Sequence, residues 1–343
     1  MKTCDKNIHS QPLSSPMEID TPLKLGSFDS NIPFSSFKQN SDLDTTISST
    51  IGSVDFQVEA EINCSNVIGL QNLGNTCYVN SIIQLLRILK NLYNWDLDKH
   101  YLSQLVRSFK RLMTSMNTKN RNQNETKKPK RFLSKLKNTI GDINIHQQQD
   151  VPDILQIVLN DFVECNFVVP ENITIQCKQD TQCCFCNNVS THSLSYIIIP
   201  VPISSSISES VERFFDTVSL TGENAYDCNR CGVKRDADQS NVISHMPENV
   251  FLQIRRFKGL GEKDDAEVYP SEILTLYNDF EGVDYAIKGT VHHNGPTISQ
   301  GHYTSCVCVD NIWYKCDDSH TSRVRFESID WNSLYLLVYE KMI

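Results

Sequence analysis

No apolar run in these 343 residues approaches the roughly 18–20 that a membrane-crossing helix requires. Met1 to Leu25 holds no apolar h-region, so a secretory signal is not expected. Positive charge is also in short supply: 32 Lys and Arg stand against 41 Asp and Glu, a formal net charge of −9. Nucleic-acid binding needs a cationic face, so no nucleic-acid partner is expected. No internal repeat is found, which excludes solenoid architectures. These absences lead to the expectation of a soluble, intracellular chain, cytoplasmic or nuclear, with no membrane partner. The length allows one large domain or two ordinary ones and is ample for a core.

What is present changes along the chain. Residues 1–64 are polar, with stretches such as Ser41-Asp42-Leu43-Asp44-Thr45-Thr46 and no sustained period. Too little apolar surface is available there to offset ordering entropy, so a disordered tail is expected. From Gly69 the texture differs. Val79, Ile82, Ile83, Leu86, Leu89 and Tyr93 recur at helical spacing, which predicts a helix over 77–93. Further helices are expected over 101–113 and 150–165, the last with Pro152 in its first turn. Between Arg107 and Lys137 eleven Lys and Arg accompany a single acid, Glu125. That block reads either as a solvated loop beside a charged helix or as a local patch for an acidic partner. Lys127-Lys128-Pro129-Lys130-Arg131 within it fits an import signal or a solvated loop.

Beyond Cys165 the runs are short and β-prone: 196–199, 250–254, 286–291, 303–309, 312–315 and 335–339. Helices first and strands after predict an α+β fold with two lobes.

Thirteen cysteines are more than a bland intracellular chain needs. Without a secretory signal a disulfide framework is not expected, which leaves catalysis or metal ligation. Cys77 ends a turn-forming stretch, Gly69 to Thr76, and starts the first helix. Unpaired N–H groups at a helix start favour thiolate, the reactive form, over thiol. Gln300-Gly301-His302-Tyr303-Thr304 follows 225 residues after Cys77, and Trp313-Tyr314-Lys315-Cys316-Asp317-Asp318-Ser319 follows that. Cys, His and Asp in this order suit a thiol protease: the imidazole takes the thiol proton and the carboxylate orients the imidazole. His292, His293 and His320 compete with His302 for the base.

Cys183-x-x-Cys186 and Cys228-x-x-Cys231 form two knuckles with 41 residues between them. Each knuckle can place two thiolates on one tetrahedral ion, so the four fit a structural zinc site whose chain returns as a hairpin extension. Free thiols in a finger that has lost its metal are the alternative, and Cys177 and Cys184 blur the assignment. The frequent acids around the knuckles (Asp180, Glu209, Glu212, Asp216, Glu223, Asp227) argue against phosphate contacts.

Together these residues carry a resemblance. Asn72-Leu73-Gly74-Asn75-Thr76-Cys77-Tyr78-Val79-Asn80-Ser81 resembles the Cys box of the ubiquitin-specific proteases. The stretches around His302 and Asp317 resemble their His box. Gln148-Gln149-Asp150 and Phe251-Leu252-Gln253-Ile254-Arg255-Arg256-Phe257 resemble two further boxes, the latter with slightly atypical residues. All come in the family's order over about 66–342.

The resemblance implies a papain-like cysteine protease hand. Its thumb would span about 66–165, its zinc-stapled β fingers about 166–250 and its β-rich palm about 190–342. It implies Cys77 as nucleophile, His302 as general base and Asp317 as the acid that orients it. Asn72 would be the oxyanion donor and Asp318 a second supporting acid. Asp150 and Tyr303 would bind substrate, although Asp150 also reads as an N-terminal helix charge. Cys183, Cys186, Cys228 and Cys231 would hold zinc. The implied partners are ubiquitin and ubiquitinated proteins, met by a monomer. The implied reaction is hydrolysis after ubiquitin's C-terminal glycine. A ubiquitin-binding scaffold with little catalysis and a protease for a ubiquitin-like modifier are the alternatives.

Overall fold

The computed structural model describes residues 67–89, 92–117, 125–141, 144, 147–257 and 262–342. The tail expected over 1–64 lies outside the described residues. No helix among the described residues is long and apolar enough to cross a membrane.

Four helices come first: α1 (Cys77–Ile88), α2 (Gln104–Met116), α3 (Lys130–Ile140) and α4 (Val151–Glu164). The starts of two have a clear local cause. The Ser103 hydroxyl accepts from the Val106 N–H at 3.0 Å and so caps α2. Pro152 sits in the first turn of α4, where its missing N–H costs nothing. Helix α1 ends at Ile88, five residues before the expected Tyr93. Tyr93 instead bridges to Val168. Its hydroxyl donates to the Leu86 carbonyl at 2.8 Å and its ring stacks on Phe167 at 5.0 Å. Burying that ring against Phe109 and Phe162 outweighs one more helical turn.

The basic block resolves into the flank of this helical layer. Leu105, Val106, Phe109, Leu112 and Met113 of α2 and Phe132, Leu133 and Leu136 of α3 are buried. Arg107, Arg111, Lys128, Lys130, Arg131 and Lys137 are exposed around them.

Strands follow, interrupted by a short helix. In chain order they are β1 (Ile175–Cys183), β2 (Val189–Tyr196), β3 (Ile198–Val201), helix α5 (Ile207–Phe215), β4 (Val218–Leu220), β5 (Tyr226–Cys228), β6 (Val233–Arg235), β7 (Ala237–His245), β8 (Asn249–Ile254), β9 (Ile273–Tyr277), β10 (Gly282–Thr297), β11 (Gln300–Val309), β12 (Ile312–Asp317), β13 (His320–Arg323) and β14 (Leu334–Lys341). A four-stranded antiparallel sheet runs β2-β1-β7-β4, and β5 and β6 make a separate hairpin. The main sheet runs β13-β12-β11-β10-β14-β8-β3, with β9 also on β10. The β3–β8 pair is parallel. The run expected over 196–199 is divided between the two sheets: Tyr196 pairs with Ile175, while Ile198 pairs with Phe251.

The main sheet is covered on both faces, so its strands read as unbroken apolar runs. Phe251, Leu336 and Val338 point to the core under the helices. Val250, Leu252, Ile254, Leu337 and Tyr339 point to a second core on the other face. Helix α1 packs on β10 and β11, and all of Cys77 to Leu86 is buried. That packing brings the start of α1 to the end of the sheet where β11 begins.

Candidate active site

The loop before α1 is shaped by one side chain. The Asn72 Oδ1 accepts from the backbone N–H groups of Gly74 at 3.0 Å and Thr76 at 3.1 Å. This turn takes Gly74 and Asn75 through the left-handed region, at φ 102° and 52°, which Gly and Asn tolerate best. Cys77 then opens the helix, 4% exposed. With its oxygen committed to the turn, Asn72 has its amide N–H₂ left for the site. Its Nδ2 donates to Asp318 Oδ2 at 2.9 Å. The other oxygen of Asp318 accepts from Asn80 Nδ2 at 2.7 Å.

His302, near the start of β11, holds Asp317 Oδ1 with its Nε2 at 2.7 Å. The imidazole also stands beside Cys77, close enough for the two to interact. With Nε2 taken by Asp317, Nδ1 is the ring nitrogen left for other partners. The interaction with Cys77 first, and then the bond to Asp317, push the imidazole up to about 9 against the opposing effect of partial burial. Gly301 makes the approach possible: a Cβ there would come within 2.5 Å of the His293 ring and 2.6 Å of the Asn294 carbonyl.

The competing histidines are occupied elsewhere. His292 and His293 are buried in β10, and burial pushes both down to about 4, so they are neutral. His292 bonds Thr290 and the Asp330 carbonyl, and His293 Nε2 meets Gln148 Nε2 at 3.0 Å. His320 is exposed, 3.3 Å from the Ser319 hydroxyl.

Asp150 stands at the N-cap of α4. Both carboxylate oxygens accept from the Tyr335 hydroxyl, at 2.8 and 3.0 Å. Burial, with a smaller push from Asp153, raises its carboxyl to about 6 despite bonds from Tyr335 and the Val151 N–H. Gln253 Nε2 donates to that Tyr335 hydroxyl in turn, at 3.2 Å.

A second cluster is made of sulfur. Cys183 and Cys186 border the β1–β2 turn, and Cys228 and Cys231 border the β5–β6 turn. Their four Sγ atoms lie within 4.8 Å of one another. Cys183 to Cys231 is 4.0 Å and Cys186 to Cys228 is 3.6 Å. An ideal tetrahedron with metal–sulfur bonds near 2.3 Å has edges of about 3.8 Å, so the four thiols can hold one such ion. All four are free thiols. Cys184 faces Asp238 instead, at 4.0 Å, and Cys177 is buried with its thiol pushed up to about 11. Neither joins the cluster.

The ubiquitin carboxyl-terminal hydrolase family model matches residues 68–339. The chain belongs to this family. Among curated relatives, ubiquitin carboxyl-terminal hydrolase 25 of Arabidopsis thaliana is 27% identical over 316 residues, covering 80% of this chain and 47% of that protein. The 17-like protein E of Mus musculus is 27% identical over 301 residues, covering 79% and 54%. The chain thus spans about half the length of these two relatives. Hydrolase 46 of Caenorhabditis elegans is 23% identical, covering 80% of this chain and 85% of that protein. The fold is that of the SAGA DUB module Ubp8/Sgf11/Sus1/Sgf73 bound to ubiquitin aldehyde: TM-score 0.67 at 19% identity, over 81% of this chain and 70% of that chain.

Within this hydrolase fold, the structure brings Cys77, His302, Asp317, Asn72 and Asp318 together. Tyr303, expected to touch substrate, is fully buried, its ring 4.5 Å from that of His293 and 6.3 Å from that of Tyr335. Two neighbours of the candidate residues went unassigned in the sequence, Asn80 beside Asp318 and Tyr335 beside Asp150, as did Arg256 elsewhere. Asn80 could have been found from its place three residues after Cys77, one turn along the same helix face. Arg256 is fully buried, and its guanidinium donates to the carbonyls of Leu334, Asp264, Ala266 and Trp331. It ties the stretch after β8 to the start of β14, and only the tertiary fold shows this.

Proposed function

We propose that this chain is a cysteine-type deubiquitinase that cleaves the amide or isopeptide bond after ubiquitin's C-terminal glycine. The observation that carries the reading is the meeting of Cys77 with His302 at the start of α1, with His302 held by Asp317 at 2.7 Å. His302 takes the Cys77 proton, Cys77 Sγ attacks the carbonyl carbon, and Asn72 donates an amide N–H to the oxyanion that forms. The imidazolium of His302 then protonates the departing amine, leaving Cys77 acylated by ubiquitin as a thioester. His302, now neutral, takes a proton from water. The resulting attack on the thioester releases ubiquitin and restores the thiol. Asp317 holds the ring in the tautomer these transfers need. Asp318 aims the Asn72 amide through its bond to Nδ2. Asp150, at the head of α4, faces the substrate's basic tail.

Cys183, Cys186, Cys228 and Cys231 hold a structural zinc in this reading. The ion would supply a rigid cross-link between the β1–β2 and β5–β6 turns and no reaction step. The family membership, the structural likeness to a module bound to ubiquitin aldehyde and the sulfur spacing support these roles.

The test is turnover of ubiquitin carrying a C-terminal fluorogenic amide, beside the same leaving group on other ubiquitin-like modifiers. Release from ubiquitin is expected. Tight ubiquitin binding without release would replace the enzyme with a scaffold, and release from another modifier alone would replace the substrate.

A further inference from the structure

Asn80 lies one turn along α1 from Cys77, so both side chains leave the same helix face. It is 3% exposed. Its amide donates to Asp318 Oδ1 at 2.7 Å and to the Leu70 carbonyl at 3.3 Å. Both neighbours are acceptors only, which fixes the N–H₂ on that side. The Asn80 Oδ1 is buried with no partner, a feature that a purely structural position would shed by becoming apolar. Asp318 sits on a turn at φ 50°, half-buried, and no backbone ladder holds its side chain. Its carboxylate is pinned on one oxygen by Asn80 and spends the other on Asn72.

We propose that Asn80 is a positioning residue for the oxyanion donor. It locks the Asp318 carboxylate in the one orientation that aims the Asn72 amide. The helix that carries the nucleophile therefore also sets the oxyanion donor, through the line Asn80–Asp318–Asn72. This inference rests on the peptidase reading of Cys77 and Asn72 above.

The test compares Asn80→Ala, Asn80→Asp, and Asn80→Asp combined with Asp318→Asn. Turnover of the ubiquitin fluorogenic amide is measured beside Cys77 alkylation by iodoacetamide, which needs the thiolate but no oxyanion donor. Asn80→Ala is expected to lower kcat by roughly 10- to 100-fold, with KM and the alkylation rate within about twofold of wild type. Asn80→Asp sets carboxylate against carboxylate, so turnover falls at pH 8 and recovers toward pH 6 as the pair takes up a proton. The exchanged pair restores the bond with its polarity reversed. The amide introduced at position 318 donates to the carboxylate introduced at position 80 and accepts from Asn72. Its kcat rises at least about fivefold above Asn80→Asp alone.

Asn80→Asp and the exchanged pair conserve volume, so they decide the matter even where Asn80→Ala melts early. Wild-type kcat in a folded Asn80→Ala, or an exchanged pair no faster than Asn80→Asp at equal melting temperature, would overturn the proposal. A wild-type chain inert toward the substrate would overturn the peptidase reading itself, and it shows before any variant is compared.

Discussion

The main sheet and the finger sheet use the same antiparallel ladder but are held by different means. In the main sheet, β8 and β14 are buried nearly end to end between two cores. In the finger sheet, β2 has no fully buried residue, and β1 alternates. At the finger tip Val189 and Val233 are half exposed, and Phe185 is 70% exposed beneath the Arg235 guanidinium. Four sulfurs stand there in place of a core. The lesson is a division of labour. Hydrophobic burial fixes the cleft to the accuracy a Cys–His–Asp line demands. The tip buries no core of its own and gathers four cysteines that could hold an ion.

Damage to either region should therefore leave the other's property intact. The largest effect belongs to the cleft. Asn72→Ala should lower kcat by roughly 10²–10³ while metal content holds, with a lower melting temperature because the Gly74 and Thr76 N–H groups also lose their acceptor. An unchanged rate in steady-state hydrolysis would remove Asn72 from the reaction. Next comes the finger. Cys228→Ser should cost the bound metal and lower the melting temperature by at least about 5 °C. Iodoacetamide should still alkylate Cys77 at the wild-type rate. Metal analysis after purification without added zinc checks this. A metal content below half an equivalent in the wild type, with chelator-insensitive melting, would refute ligation there.

A smaller effect is a shift in pH dependence. The imidazole of His302 is raised to about 9, so it stays protonated through neutral pH and loses its proton as pH rises through about 9. The basic limb of kcat/KM should fall near there. In Asp317→Asn it should move toward lower pH, since one of the two interactions that raise it is gone. The smallest effect concerns Asp150. Its raised carboxyl means that burial costs nothing below the ordinary range near 4, where the group is protonated folded and unfolded alike. The cost grows as pH climbs and is complete above about 6. Asp150→Asn should therefore stabilise the fold by up to about 3 kcal/mol at pH 7.5 and by little at pH 4, read by denaturant unfolding.

The same contrast explains what was legible in the sequence. Helix α1 and the runs at 250–254 and 335–339 announce themselves because burial demands apolar residues in a period. The strands β1, β2 and β7 do not. Lys178-Gln179-Asp180 is polar and pairs through its backbone with Ser193, His192 and Thr191. The return of the second knuckle to the first could be required by the cysteines, but its path through β3, α5 and β4 could not be read. At the site, Cys77, His302 and Asp317 stood out by residue type and order, and Asn72 by the resemblance of its stretch to the Cys box. The bond from Asn80 to Asp318 spans 238 positions and has no local signature.

The most direct measurement is covalent capture. Ubiquitin bearing a thiol-reactive group at its C-terminus is incubated with the folded chain, followed by intact mass and peptide mapping. One adduct is expected, on Cys77, that His302→Ala slows sharply and that loss of the finger cysteines does not redirect. A folded protein whose Cys77 stays free, or whose adduct maps to another cysteine, would contradict the assignment of Cys77 as nucleophile.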